Sequence, residues 1–230
     1  MNIRLSFSFN DVKIDIHPTV VNSIVILVVL TLLAIWIGNK AKKADFREKP
    51  KGILFFAEIF VETIRNLTTT TMGQANINFS PYIGTLAIYL VFANLMGLIG
   101  FQPPTSDYNV TLGLALITFV LIHFNNIRFN GIKNYVKGFF EPMAFLFPIN
   151  LLGEIATPIS LSFRLFGNIL SGVIIMSLLY QALSSVSIFL VPFVAPVFHA
   201  YFDIFSGLIQ TFIFVMLTMV FVSNGIGERK

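Results

Sequence analysis

Residues 20–37 read VVNSIVILVVLTLLAIWI, with no charged side chain among them. A helix rises ~1.5 Å per residue, so roughly 20 apolar residues cross the ~30 Å hydrocarbon core of a bilayer. The stretch that follows is of opposite character, with Lys40, Lys42, Lys43, Arg47, Lys49 and Lys51 set against Asp45 and Glu48. Basic residues gather on the cytoplasmic side of membrane helices, so residues 40–51 are expected inside and the N-terminus outside. Residues 1–19 then form an outer segment. Its start is polar and lacks the charged start, apolar stretch and small-residue cleavage site of a signal peptide. The first apolar run therefore reads as a retained membrane helix.

The remaining spans follow by the same logic. Over residues 53–72, Phe55, Phe56, Ile59, Phe60 and Ile64 recur near helical spacing, while Glu58, Glu62 and Arg65 interrupt any lipid-facing span. This is the pattern of an amphipathic helix on the inner surface or packed against neighbours. The run Thr68, Thr69, Thr70 and Thr71 reads as a solvated turn after it. Residues 82–99 form a second span, closed by the breaker Phe101, Gln102, Pro103, Pro104. The loop 102–109 has no Lys or Arg, which suits the outer side. Residues 110–124 return inward to a loop carrying Arg128, Lys133 and Lys137. Two long apolar segments end the chain, residues 143–183 and 186–222. Each would be ~60 Å long as one helix, about twice the hydrocarbon thickness. They must be steeply tilted, broken, or both, with Pro148, Pro158, Pro192 and Pro196 as bend points. The expectation is a single all-α membrane domain over residues 1–230, with about five transmembrane helices and one amphipathic surface helix. The last two helices are long and strongly tilted, and the C-terminus lies inside.

Composition supports the membrane class. The chain is 56% hydrophobic and only 11% charged, with a mean hydropathy of +0.83, whereas soluble domains carry about a quarter charged residues. The net charge of +4 sits in groups beside apolar segments, as topology signals do. The aromatics are spread through the spans and form no stacking platform beside a basic groove, so no nucleic-acid partner is expected. The absence of cysteine excludes disulfides, thiolate catalysis and thiolate metal sites. Phosphate-binding glycine loops, dinucleotide fingerprints and HExxH are absent as well. No cofactor and no metal are expected.

Charged side chains inside apolar spans carry the functional signal, because each costs a few kcal/mol near the bilayer centre. Four qualify after the inner loop: Glu141, Glu154, Arg164 and Asp203. Glu141, near Lys137, reads as interfacial. At 100° per residue, Thr157, Arg164, Asn168 and Ser171 fall in a narrow wedge of one helix face. His199, Asp203, Ser206 and Gln210, spaced four, three and four, make a second polar stripe on the last helix. The stripes face each other or a common partner. A plainer reading stands beside this one: Arg164 pairs with Asp203 or Glu154 to hold a bundle, His199 packs, and Asn168 and Gln210 are interhelical hydrogen-bond glue. Asn94 and His123 are weaker signals still.

At these residues the sequence resembles subunit a of F-type ATP synthases. The run 160–168, SLSFRLFGN, is similar to that family's signature, with its essential arginine on Arg164 and its asparagine on Asn168. The run 210–218, QTFIFVMLT, resembles the last-helix signature, with its glutamine on Gln210, and Pro81 with residues 94–99 (NLMGLI) resembles the second-span motif. The resemblance implies a stator subunit of a rotary motor, with no bond chemistry of its own, in the inner membrane of a bacterial cell. Its partners would be a ring of c-subunits facing residues 143–222, the peripheral stalk b subunits, the rest of the synthase, and lipid. Two ion half-channels would reach the ring, with Arg164 as the fixed charge between them. One feature departs from the pattern. Many relatives carry Glu or His directly after the glycine matching Gly172, where this chain has Val173, and the complementary position holds Asp203. The acid of the outer path then falls to Asp203, helped by His199, with Glu154 as a compensating carboxylate. The coupling ion, H⁺ or Na⁺, is set mainly by the ring. Two rivals remain: an autonomous secondary transporter, with its site among its own broken helices, and a structural anchor.

Overall fold

The computed structural model describes residues 5–9, 12–44, 50–141 and 143–226. Among them, five helical segments are long and apolar enough to cross a membrane: Pro18–Lys42, Gln74–Ile99, Tyr108–Gly138, Ala144–Val186 and Ile188–Ile226. This is the crossing number read from the sequence. The first span is a single helix, α1 (Pro18–Lys42), with Pro18 in its first turn, where a missing N–H costs nothing. Its exposed surface is aliphatic, with Leu32 61% exposed, as hydrocarbon contact requires. Lys40 lies over the Trp36 ring at 5.5 Å, the pairing of aromatic and cation that anchors a helix end at the interface.

Before α1, strands β1 (Leu5–Phe9) and β2 (Val12–Ile16) pair antiparallel, in a register that sets Leu5 opposite Ile16 and Phe9 opposite Val12. The sequence reading assigned no regular structure here, although residues 5–9 and 12–16 alternate apolar and polar side chains in the strand period. A two-stranded unit of this length does not alter the helical class.

The amphipathic segment forms α2 (Ile53–Met72), which takes in the threonine run. Ile64, Thr68 and Met72 are buried at helical spacing, and Phe56, Glu58 and Glu62 stay exposed. The threonine run is therefore not a solvated turn. Thr68 is inside the last turns of α2, its hydroxyl donating to the Ile64 carbonyl at 2.8 Å, and the helix ends at Gly73 (φ 81°), a conformation glycine adopts without strain. A 3₁₀ segment, Gln74–Phe79, leads into α3 (Ser80–Leu95).

The return helix α4 (Tyr108–Gly138) is longer than expected. Arg128, Lys133 and Lys137 lie on helical residues and not in a loop, Arg128 before and Lys133 and Lys137 after a break at Gly131. Gly131 alone departs from helical geometry, at φ 76°. Asp107 caps α4 by accepting from the Asn109 N–H at 2.9 Å. It also accepts from the Thr19 hydroxyl at 2.8 Å, tying the start of α1 to the α3–α4 loop.

The two terminal segments contain α5 (Phe147–Val186) and, in the second, α6 (Val191–His199), a π-helical stretch Ala200–Phe205 and α7 (Ser206–Ile226). Pro148 and Pro192 open their helices and do not bend them. Pro158 is carried inside the 40-residue α5, so the break in this pair of segments is the π stretch and not a proline turn. The core, formed where α3, α4, α5 and α7 meet, includes Ile83, Leu90, Ala93, Leu161, Leu165, Phe214 and Met219.

Candidate functional site

On α5 the buried positions Leu161, Leu165, Ile169, Gly172 and Met176 recur at three and four residues, so this face packs inward. Arg164 and Ser171 stand outside it and are exposed, and Asn168 is half-buried at its edge. Arg164 makes no hydrogen bond or ion pair among the described residues. The plainer reading, an arginine neutralised by Asp203 or Glu154, is not the arrangement present.

The two polar stripes meet at Asn168. The Ser206 hydroxyl donates to Asn168 Oδ1 at 2.7 Å. The helices are close here: a Cβ on Gly172 would make ordinary contact with that of Phe202, at 3.7 Å. The amide N–H groups Asn168 Nδ2 and Gln210 Nε2 are buried without a protein partner among the described residues. Buried unpaired donors are costly, and these two lie on residues singled out by sequence.

Farther along, Asp203 accepts at 2.5 Å from His199 Nδ1, one helical turn earlier. His199 Nε2 lies 2.7 Å from the Tyr180 hydroxyl of α5. Tyr180, His199 and Asp203 thus form one hydrogen-bonded chain, and Val173 is exposed beside this region, at 54%. Tyr180 had no signature in the sequence, since 19 positions separate it from His199 and no helical period links them.

Glu154 lies elsewhere. It is ten positions before Arg164, at the end of α5 opposite Tyr180, and lines an open cavity of about 550 Å³ with Tyr135, Glu141, Asn150, Thr157 and Asn224. It does not join Asp203, whose partner is His199. Its Oε2 is 3.7 Å from His123 Nε2, and His123 Nδ1 is 3.0 Å from the Tyr135 hydroxyl. Pro158 offers no N–H to the Glu154 carbonyl, which loosens the helix wall of the cavity. Glu141 pairs with Lys137 at 3.6 Å across exposed surface, as an interfacial residue should.

Asn94, read as a weak signal, is the buried centre of a polar cluster. Its Nδ2 donates to the Gly207 carbonyl and Thr211 Oγ1, both at 3.1 Å, and its Oδ1 accepts from Thr105 at 2.9 Å. This fixes α7 against α3 directly after the π stretch.

Comparison with known proteins agrees with this geometry. The sequence profile described as ATP synthase A chain matches residues 20–223. The sodium-ion-specific ATP synthase subunit a of Propionigenium modestum is 37% identical over 88% of this chain and 76% of its own length. ATP synthase subunit a of Moorella thermoacetica is 32% identical over 92% of this chain and 91% of its own. The same subunit of Enterococcus faecalis is 32% identical over 90% and 93%. With five apolar helices and a family profile that matches residues 20–223, the chain belongs to the ATP synthase A chain family.

Proposed function

We propose that Arg164 is the fixed charge between two ion half-channels that load and unload a ring of c-subunits. The observation that carries this reading is the exposure of Arg164, unpaired, on α5 between two separate polar clusters. One is the Tyr180–His199–Asp203 chain and the other is the cavity lined by Glu154. A guanidinium stays protonated at any physiological pH, so it cannot pass a proton along. It can favour the ionised form of a carboxylate brought opposite it and bar direct passage between the clusters. The Asp203 cluster serves as the outer path and the Glu154 cavity as the inner one. The peripheral stalk would hold this wall still while the ring turns.

Asp203→Asn tests the outer path. It keeps the shape and a hydrogen bond to His199 but removes the charge. The complex should assemble with normal subunit content, while ATP synthesis driven by an imposed gradient slows by at least tenfold. Unchanged synthesis and pumping across the working pH range would assign the path to other residues.

Orientation follows from the basic clusters at Lys40–Lys43 and at Arg128–Lys137, both placed inside. Single cysteines at Ser6 and Asn224, in a chain that has none of its own, should label with an impermeant thiol reagent from opposite faces of oriented vesicles. Labelling of both from one face would require an even number of crossings.

A further inference from the structure

A second cleft, of about 440 Å³, opens between the 3₁₀ segment before α3 and the far half of α4. It has no part in the ion path. Its polar lining is Asn76, Asn78, Asn125 and Arg128, and its apolar lining includes Phe79, Leu121 and Phe124. Arg128 is exposed and makes no hydrogen bond or ion pair among the described residues, its polar-free neighbour being the Phe129 ring, 5.9 Å away. Asn76 and Asn125 donate their amide N–H groups to the Met72 and Leu121 carbonyls, at 2.8 and 2.7 Å. Their side-chain carbonyl oxygens are left as acceptors. The cleft thus offers one cation for an anion and amide oxygens for hydroxyl groups.

The helix surface leading to it is equally specific. Ile117, Val120 and Phe124 are 57%, 63% and 59% exposed, and with Arg128 they fall within about 80° of one another on the helix wheel. They form one apolar stripe that ends in a guanidinium. From Ile117 to Arg128 the stripe is ~16 Å long at ~1.5 Å per residue. That is the depth of one leaflet, half of a ~30 Å hydrocarbon core. A basic pocket between membrane helices, at the end where the positive charges gather, is a site for anionic lipid headgroups.

We propose that this cleft and stripe bind one anionic phospholipid of the leaflet at the basic end of α4. Its phosphodiester lies on Arg128, a hydroxyl-bearing headgroup such as glycerol meets the amide oxygens of Asn76 and Asn125, and an acyl chain runs along Phe124, Val120 and Ile117. The bidentate fork of arginine suits a phosphate better than a point charge does.

The test uses the whole complex, reconstituted in vesicles of zwitterionic phosphatidylcholine doped with a photoactivatable lipid. The probe is either phosphatidylglycerol or phosphatidylcholine bearing the same reactive acyl chain. Adducts are mapped by mass spectrometry of the peptide covering residues 117–129. Phosphatidylglycerol should label this peptide about fivefold more than phosphatidylcholine, the advantage of one basic side chain at a membrane surface. Arg128→Gln should abolish the preference and Arg128→Lys should retain part of it. Excess inorganic phosphate should leave the labelling unchanged, because the acyl chain contributes to binding; displacement by phosphate would make the site one for the free anion and overturn the proposal. Equal labelling by the two lipids in the unmodified complex would overturn it without recourse to any variant. So would a peptide shielded from both, which would assign the surface to another subunit.

Discussion

Replacing Arg164 with alanine is expected to abolish ATP synthesis driven by an imposed ion gradient, while the purified complex keeps its full subunit content. The guanidinium is exposed and has no protein partner among the described residues, so its removal breaks no internal pair and leaves no buried charge behind. What is lost is its attraction for a passing carboxylate. At ~4 Å and an effective dielectric near 20 this is about 4 kcal/mol, nearly a thousandfold bias towards the ionised form, yet small enough to be released as the ring turns. Passive ion leakage through the membrane sector should rise at the same time, since the barrier between the two clusters is gone. Arg164→Lys should recover little, because an ammonium is compact, has no planar fork and loses its proton when desolvated. An arginine that merely held the bundle together would show the reverse: poor assembly with alanine and partial rescue by lysine. Near-normal synthesis by a fully assembled Arg164→Ala complex would refute the stator role.

The second large effect is expected at Asn94, and it is structural. Leucine has nearly the same shape but removes the donor to the Gly207 carbonyl and Thr211, and the acceptor for Thr105. The Gly207 carbonyl and Thr211 keep the hydrogen bond between them, at 3.0 Å, but the Thr105 hydroxyl is left buried without its acceptor, at a cost of about 1–3 kcal/mol. Asn94→Leu should therefore lower the temperature at which the chain is lost from the solubilised complex and reduce the assembled yield. Asn94→Asp, which keeps the acceptor for Thr105, should be milder in stability if it assembles protonated. A variant as stable as the parent would mean that α3 and α7 are held by apolar packing alone.

The fold was legible wherever one physical rule dominates. Hydrocarbon thickness set the number of spans, and the amphipathic period located the helix that begins at Ile53. Errors arose where a local rule was outweighed. Threonines favour turns in isolation, but Thr68 satisfies its hydroxyl on the Ile64 carbonyl and buries its side chain against the bundle. Basic residues after a span suggest a loop, yet the helix runs on to Gly131, and a second helical stretch after that break carries Lys133 and Lys137. Prolines suggest bends, yet Pro148 and Pro192 occupy first-turn positions that tolerate them. At the site, Arg164, Asn168 and Gln210 could be singled out because charge and amides are rare in apolar runs. Tyr180 and Tyr135 could not, because Tyr180 meets His199 through the packing of α5 on α6 and Tyr135 meets His123 across the break at Gly131. Asn94 was visible but undervalued, since one amide in a span says nothing of how many partners it will find.

The six residues Ala200–Phe205 are wound as a π-helix between α6 and α7. A π-bulge takes one residue more than the regular helix around it, so everything on one side is turned by about 100° relative to the other. Here the two sides carry different tasks: His199, before the stretch, meets Tyr180, while Ser206, after it, meets Asn168. Chain length in this short stretch is therefore a setting of direction. Loss of one residue would restore an ordinary α-helix with its ladder of hydrogen bonds complete, but His199 could no longer meet Tyr180 while Ser206 meets Asn168. Insertions and deletions, which disrupt most helices, would in this place re-aim a helix that stays folded, giving evolution a means of altering the route that substitution alone does not provide.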